Sequence, residues 1–257
     1  MSLVEFEEIN RVAYITLNRP EKRNALNPEL VELLGKCFLK ANSNPETKAI
    51  VLAANGDVFS AGADLAYLQQ LQNNSFDENV EDSNNLKKLF YNIYTSPKLV
   101  IAQVEGHAIA GGCGLASVCD IVFSVPEAKF GYTEVKIGFI PALVACFLVR
   151  KLGQARSNEL LLSGELISAE IAEKYNLINF IVEKDNIRES VKKYAEKAVI
   201  SVSAQSVALT KELLNMAQNL PLEESLEQAV MLNAKARATD DCKKGISSFL
   251  NKEKLEW

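Results

Sequence analysis

Residues 97–141, PKLVIAQVEGHAIAGGCGLASVCDIVFSVPEAKFGYTEVKIGFIP, decide how this chain is read. Leu99 to Val104 is an apolar run, broken by the polar pair Glu105-Gly106. Ala110-Gly111-Gly112-Cys113-Gly114 follows, then a small-residue helical pattern ending at Cys119-Asp120. Strand, Gly-rich turn and helix start, in that order, aim backbone N–H groups into a cleft. Glycine serves where a ligand must approach the main chain closely. The spacing fits neither the dinucleotide fingerprint nor the P-loop, which needs Lys-Ser/Thr after its last Gly. Taken alone, the turn reads as a tight connection into a closely packed helix.

A second junction of the same kind lies upstream. Residues 56–65, GDVFSAGADL, follow a strand-like run, Lys48 to Ala54, and precede another helical pattern. Two such junctions can each offer one N–H to the same oxygen. Together with residues 106–120, this stretch resembles the crotonase family, the enoyl-CoA hydratase/isomerase superfamily. The resemblance runs from Asn18-Arg19-Pro20 to the last helix, and the paired motifs are specific in order and spacing. It implies an α/β fold, a crotonase-like spiral of ββα units with a helical C-terminal region. Residues 1–185 would form the core and its acyl-CoA cleft, and 186–257 a region for oligomerisation and CoA contact.

Length and composition are ordinary for a globular protein. The 257 residues suffice for a substantial core, and nothing reads as a linker between independent domains. A net charge of −5 gives no nucleic-acid footprint. No apolar run reaches membrane-span length, and residues 1–10 do not read as a signal peptide. The five cysteines lack metal-ligand spacing, so free thiols in a reducing cytoplasm are expected. One histidine rules out a His-rich metal site.

Along the chain, residues 3–17 read as a hairpin turning at Asn10, and Asn27-Pro28 caps a helix over 28–43. Residues 72–85 read as a polar, mobile loop ahead of a helix over 83–95. Pro141 starts an apolar helix that Gly153 ends, and 177–182 reads as a last strand. Helical patterns follow at 187–199, 204–217, 222–237 and 240–251. Apolar positions there (Val191, Ala195, Val199, Leu209, Leu213, Leu226, Val230) exceed what one small core obviously needs, and with the family's habit this predicts a homotrimer or homohexamer.

The resemblance also implies roles. The N–H groups of Ala63 and Gly111 would form an oxyanion hole for a thioester enolate, Gly111 taking a φ that other residues avoid. Ala61, Asp64 and Leu65 would border the substrate, with Asp64 also a helix cap. Lys22, Arg23 and Ala25 would touch CoA, as would Phe249 and Lys252, often from a neighbouring subunit. From the residues alone, Lys22 and Arg23 read equally well as solvated charges. Hydratases of this family carry two glutamates. One position is Glu134 here. The other is Gly114, which would leave room for a branched or carboxylated acyl group. A single carboxylate suits moving a double bond better than adding water, as in enoyl-CoA isomerases. Members with this Gly and a similar Glu134–Ala142 run resemble methylglutaconyl-CoA hydratase-like proteins. An acyl-CoA decarboxylase and a non-catalytic acyl-CoA-binding homologue are the other readings. No metal or redox cofactor is expected, with coenzyme A entering as part of the substrate. His107 reads as structural, with a second proton-carrying role as its alternative. Tyr67 and Tyr132 read as pocket wall or core.

Overall fold

The computed structural model describes residues 2–257. Strands β1 (Val4–Ile9) and β2 (Val12–Leu17) form the expected hairpin. Asn10 and Arg11 both take positive φ, 50° and 67°, as a two-residue turn matched to strand twist requires. Helix α1 (Pro28–Ser43) starts at an Asn27 side chain that accepts from Leu30 N at 2.9 Å, with Pro28 in its first turn.

From there the chain repeats one move. A strand joins a large sheet, a short strand joins a smaller sheet, and a helix returns. The first turn is β3 (Ala49–Ala54), β4 (Val58–Ser60), α2 (Leu65–Leu71) and α3 (Phe76–Tyr94). The second is β5 (Leu99–Val104), β6 (His107–Ile109) and α4 (Gly111–Ser117). The third is β7 (Ile121–Ser124), β8 (Lys129–Gly131) and α5 (Ala142–Ser163), the last interrupted at Gly153, φ 73° and ψ 171°. After β9 (Ile167–Ser168), α6 (Ala169–Lys174) and β10 (Phe180–Ile181) come four helices: α7 (Lys184–Ser201), α8 (Ala204–Ala217), α9 (Leu222–Ala238) and α10 (Asp240–Asn251). The large sheet runs β1-β2-β3-β5-β7-β10 and the small one β4-β6-β8-β9, parallel throughout except at β1–β2 and β8–β9. β3, and β5 apart from the buried Gln103, are apolar without alternation because both faces are covered.

Three expectations need correction. The segment read as a mobile loop is mostly helix: α3 begins at Phe76, where Ser75 and Glu78 form a capping box. The last strand shrinks to Phe180–Ile181. The boundary at 185/186 falls inside α7, whose Ile187, Val191, Ala195 and Val199 belong to the main core. Those residues therefore have partners within the chain. Leu226 and Val230 are exposed as expected, and with Ile200, Leu214, Leu222, Met231, Ile246, Phe249 and Leu250 they are the uncovered large apolar residues of the C-terminal helices. Among the described residues no helix is long and apolar enough to cross a membrane.

Candidate active site

β4, β6 and β8 lie side by side and parallel, so the segments leaving their C-terminal ends converge. The first carries Ala63, the second Gly111, the third Glu134. All three line one cleft of about 630 Å³, walled by α1, α2, α3 and the start of α5.

The Ala63 N–H is aimed by its neighbours. Leu26 N donates to Gly62 O at 2.7 Å and Asp64 N donates to Leu26 O at 2.9 Å. This parallel bridge uses the groups on either side of Ala63 and turns its own N–H away from Leu26. The Gly111 N–H is the first of helix α4 and has no intrahelical acceptor. The two turns touch: a Cβ on Gly62, which sits at φ +85°, would lie 2.7 Å from Ala110 Cβ and 3.2 Å from Gly111 N. Gly111 itself does not take a positive φ. Ala110 does, at φ 52° and ψ −126°, a strained conformation for a residue with a Cβ. The expectation attached to Gly111 thus belongs to its neighbour. At the other end of α4, Lys151 Nζ donates to Ser117 O at 3.0 Å and Cys119 O at 3.2 Å, satisfying terminal carbonyls.

A clamp from the N-terminal loop holds the first turn. Arg19 Nη1 donates to Asp64 Oδ2 at 2.6 Å and to Ala25 O at 3.1 Å. The Asp64 carboxylate also accepts from Ala66 N at 2.9 Å and Tyr67 N at 3.3 Å, capping α2. The Arg19 bond, with these N–H groups, holds its carboxyl below the usual aspartate value. Buried Asn24 donates to Asn55 O at 2.9 Å and Val58 O at 2.8 Å, and its carbonyl accepts from Ser60 Oγ at 2.8 Å. Arg19, Asn24 and Ala110 were not singled out from the sequence. For Arg19 the signal was present, in the Asn18-Arg19-Pro20 run that opens the resemblance.

Glu134 opens a short 3₁₀ turn, Glu134–Ile137. Its Oε2 is buried and has no hydrogen-bond partner among the described residues. Burial pushes its carboxyl above the usual glutamate value, its own backbone N–H pulling part of the way back. Ile137 and Ile140 line the same cleft. Val135 does not; it packs toward Gly164. Burial pushes the Cys113 and Cys119 thiols up to about 12, so neither offers a thiolate near neutral pH.

Other expected site residues are spread out. Ala61 and Leu65 line the cleft, as does Tyr67, whose hydroxyl donates to Asp82 Oδ1 at 2.5 Å. Asp64 is committed to Arg19 and the α2 cap and does not face the cleft. Lys22 and Arg23 are exposed on the loop outside it, and Ala25 is buried beside them. Phe249 and Lys252 lie exposed on the last helix and its end, away from the cleft. Tyr132 is fully buried core. His107 is exposed and its Nδ1 accepts from Lys129 N at 3.2 Å, the structural role. Gly114 contradicts its expectation: a Cβ there would meet Val144 Cγ1 at 2.3 Å and Phe90 Cζ at 3.3 Å. The absent side chain leaves no room, because Val144 already takes the space.

Known proteins share this arrangement of chain. The family model described as enoyl-CoA hydratase/isomerase matches residues 7–257. A Thermus thermophilus protein that carries the provisional name enoyl-CoA hydratase is 42% identical over 245 residues, 95% of this chain and 96% of its own. The (E)-benzylidenesuccinyl-CoA hydratase of Thauera aromatica is 32% identical over 251 residues, 96% of this chain and 95% of its own. The crystal structure of an enoyl-CoA hydratase from Shewanella pealeana superposes with a TM-score of 0.94 at 27% identity, covering 99% of this chain and 96% of that one. The chain belongs to the enoyl-CoA hydratase/isomerase family, and its fold is the crotonase fold.

Proposed function

We propose that the protein acts on an acyl-CoA thioester through an enolate, with the N–H groups of Ala63 and Gly111 on the thioester oxygen and Glu134 as the single acid/base. The observation that carries this reading is the unpartnered, desolvated Glu134 carboxyl opening on the cleft that the two N–H-bearing turns also line. A raised carboxyl pKa suits a group that must both take and return a proton near neutral pH. Paired N–H donors hold the developing oxyanion, and losing one such donor typically raises the barrier by ~3 kcal/mol.

In this reading Glu134 removes a proton from C2 of a 3-enoyl thioester. The C–H electrons become the C1–C2 double bond of a dienolate, and the carbonyl π electrons move onto the thioester oxygen. As that oxygen re-forms the carbonyl, the C1–C2 pair shifts to C2–C3 and the old C3–C4 pair takes up a proton at C4. Glu134 returns that proton, leaving the 2-enoyl thioester. No second carboxyl is needed. Hydration must place a water oxygen on C3 and a proton on C2, and a side chain at position 114, where a second glutamate would stand, would meet Val144. Isomerisation is therefore expected to match or exceed hydration of a straight-chain 2-enoyl-CoA. The second reading, hydration of a branched or carboxylated substrate, is favoured by the hydratase names of relatives, the Thauera aromatica protein among them. Such a substrate would have to place its extra group elsewhere than beside Gly114.

Lys22 and Arg23, exposed beside the clamp, are proposed to meet the CoA phosphates, and Phe249 and Lys252 of a neighbouring copy its adenine end. The exposed apolar residues of α9 and α10 support assembly into a trimer or hexamer. The test is turnover of 3-hexenoyl-, crotonyl- and 3-methylglutaconyl-CoA by the native protein and by Glu134→Gln. The variant keeps the shape and should lose about 10²–10⁴-fold in turnover with CoA binding retained. Full activity of the variant on every substrate would remove Glu134 from the mechanism.

A further inference from the structure

Helix α1 has two apolar stripes. Leu30, Leu34, Phe38 and Ala41 are buried against the body of the protein. Pro28, Val31, Gly35 and Leu39, at helical spacing of three and four, line the cleft instead. Asn85, Leu86 and Leu89 of α3 line it with them. This groove is continuous with the part of the cleft that holds Ala63, Gly111 and Glu134.

Gly35 stands out within it. It lies in the middle of a helix, where glycine is the least favoured residue after proline. Its φ is not positive, so the backbone does not require glycine. A Cβ built on it meets nothing within 4 Å, so packing inside this chain does not require glycine either. The space its missing side chain leaves opens into the groove. Leu39, further along, presents an apolar side chain 56% exposed where a ligand leaving the groove would cover it.

We infer that the acyl chain of the substrate runs from the thioester site along the α1–α3 groove, past Gly35 toward Leu39. This makes Gly35 a specificity-determining residue and long, straight-chain acyl thioesters the preferred substrate class. The inference rests on the reading of the cleft as an acyl-CoA site. From Pro28 to Leu39 the helix rises about 16 Å, a length that only an extended chain uses in full.

The experiment compares the native protein with Gly35→Leu, which fills the groove, and Gly35→Ala, which gauges folding. kcat/KM is measured on crotonyl-, 2-dodecenoyl- and 2-hexadecenoyl-CoA and their 3-enoyl counterparts. Binding of saturated butyryl- and dodecanoyl-CoA is measured by calorimetry. The native protein should prefer the long chains. Gly35→Leu should lose about tenfold or more on the long chains and stay within about twofold on the short ones, since each displaced methylene weakens binding several-fold. Gly35→Ala should melt no lower than the native protein. Equal losses on short and long chains, or no loss on either, would overturn the inference. If no thioester is turned over, the proposed chemistry fails, and the calorimetric chain-length difference still decides the role of Gly35.

Discussion

Gly114 and Val144 are expected to behave as one unit. A methyl group added at position 114 would lie 2.3 Å from Val144 Cγ1, well inside the contact distance of about 3.5–4.0 Å. Val144 has little freedom to yield. It is 4% exposed near the start of α5, and a β-branched side chain in a helix holds essentially one χ1 rotamer. Overpacking of this kind typically destabilises by about 1–3 kcal/mol. Replacing glycine inside α4 returns about 1 kcal/mol of helix propensity. Gly114→Ala alone should therefore lose about 0–2 kcal/mol. Val144→Ala alone opens a cavity and should lose about 2 kcal/mol. Together the new methyl enters the vacated space, so the double variant should be more stable than the sum by about 1–2 kcal/mol, within the range seen for residues in contact. Guanidinium unfolding of the four proteins closes the cycle. Additivity within about 0.5 kcal/mol would refute the packing argument. A functional arm follows: Gly114→Glu with Val144→Ala gives a second carboxyl somewhere to go, and should raise hydration of crotonyl-CoA relative to isomerisation of 3-hexenoyl-CoA. Gly114→Glu without the second change should not.

Glu134 supplies a stability prediction with a definite sign. Its folded pKa lies above its unfolded value, so its favourable contribution is full below the unfolded pKa and fades as pH rises through the folded one. The melting temperature of Glu134→Gln, relative to the native protein, should rise from no difference near about pH 4 to a clear gain near about pH 8; a gain independent of pH would contradict this. In kinetics, turnover should fall on the acid side at a pH above the ordinary glutamate value. Asp64→Ala removes the buried partner of Arg19 and the cap of α2 together, and denaturant unfolding should show a loss of about 3–5 kcal/mol. Because the Asp64 pKa is lowered, the stability it supplies is present above its unfolded pKa and is lost as pH falls through the folded value. Light scattering at micromolar concentration should show a trimer or hexamer, and Leu226→Lys with Val230→Lys on the exposed face of α9 should dissociate it. A monomeric native protein would rule the assembly out.

The legible parts of this chain were those with local causes. Asn27-Pro28 marks the start of α1 because cap and first-turn proline act within one turn. The strand–glycine–helix junctions at 56–65 and 106–120 were visible because each is contiguous. The start of α3 was legible too, in Ser75 and Glu78, but the polar face of an exposed helix looks like a loop when composition is read before capping. Gly114 could not be read from the chain alone. A missing side chain says nothing about its neighbour, and Val144 comes from another turn of the spiral. The strain at Ala110 left no trace either, because alanine has no bias toward positive φ. Asp64 was read as a cap and is one, but its Arg19 partner lies in a distant loop.

On the roles proposed for Ala63, Gly111 and Glu134, three adjacent strands each lead to one group, which makes the small sheet a ruler. Neighbouring strands are held about 4.8 Å apart by their hydrogen-bond ladder. The separation between the Ala63 and Gly111 N–H groups is thus graduated by strand spacing, whereas the Glu134 carboxyl also depends on its own side-chain rotamer. A point substitution can remove a mark but cannot rescale the ruler. On the same roles, moving a carboxyl from the third strand end to the second would carry it one strand spacing toward the Gly111 turn. The spacing of the two turns then persists only while β4, β6 and β8 stay paired, so an insertion that unzips this short sheet would disturb all three groups at once.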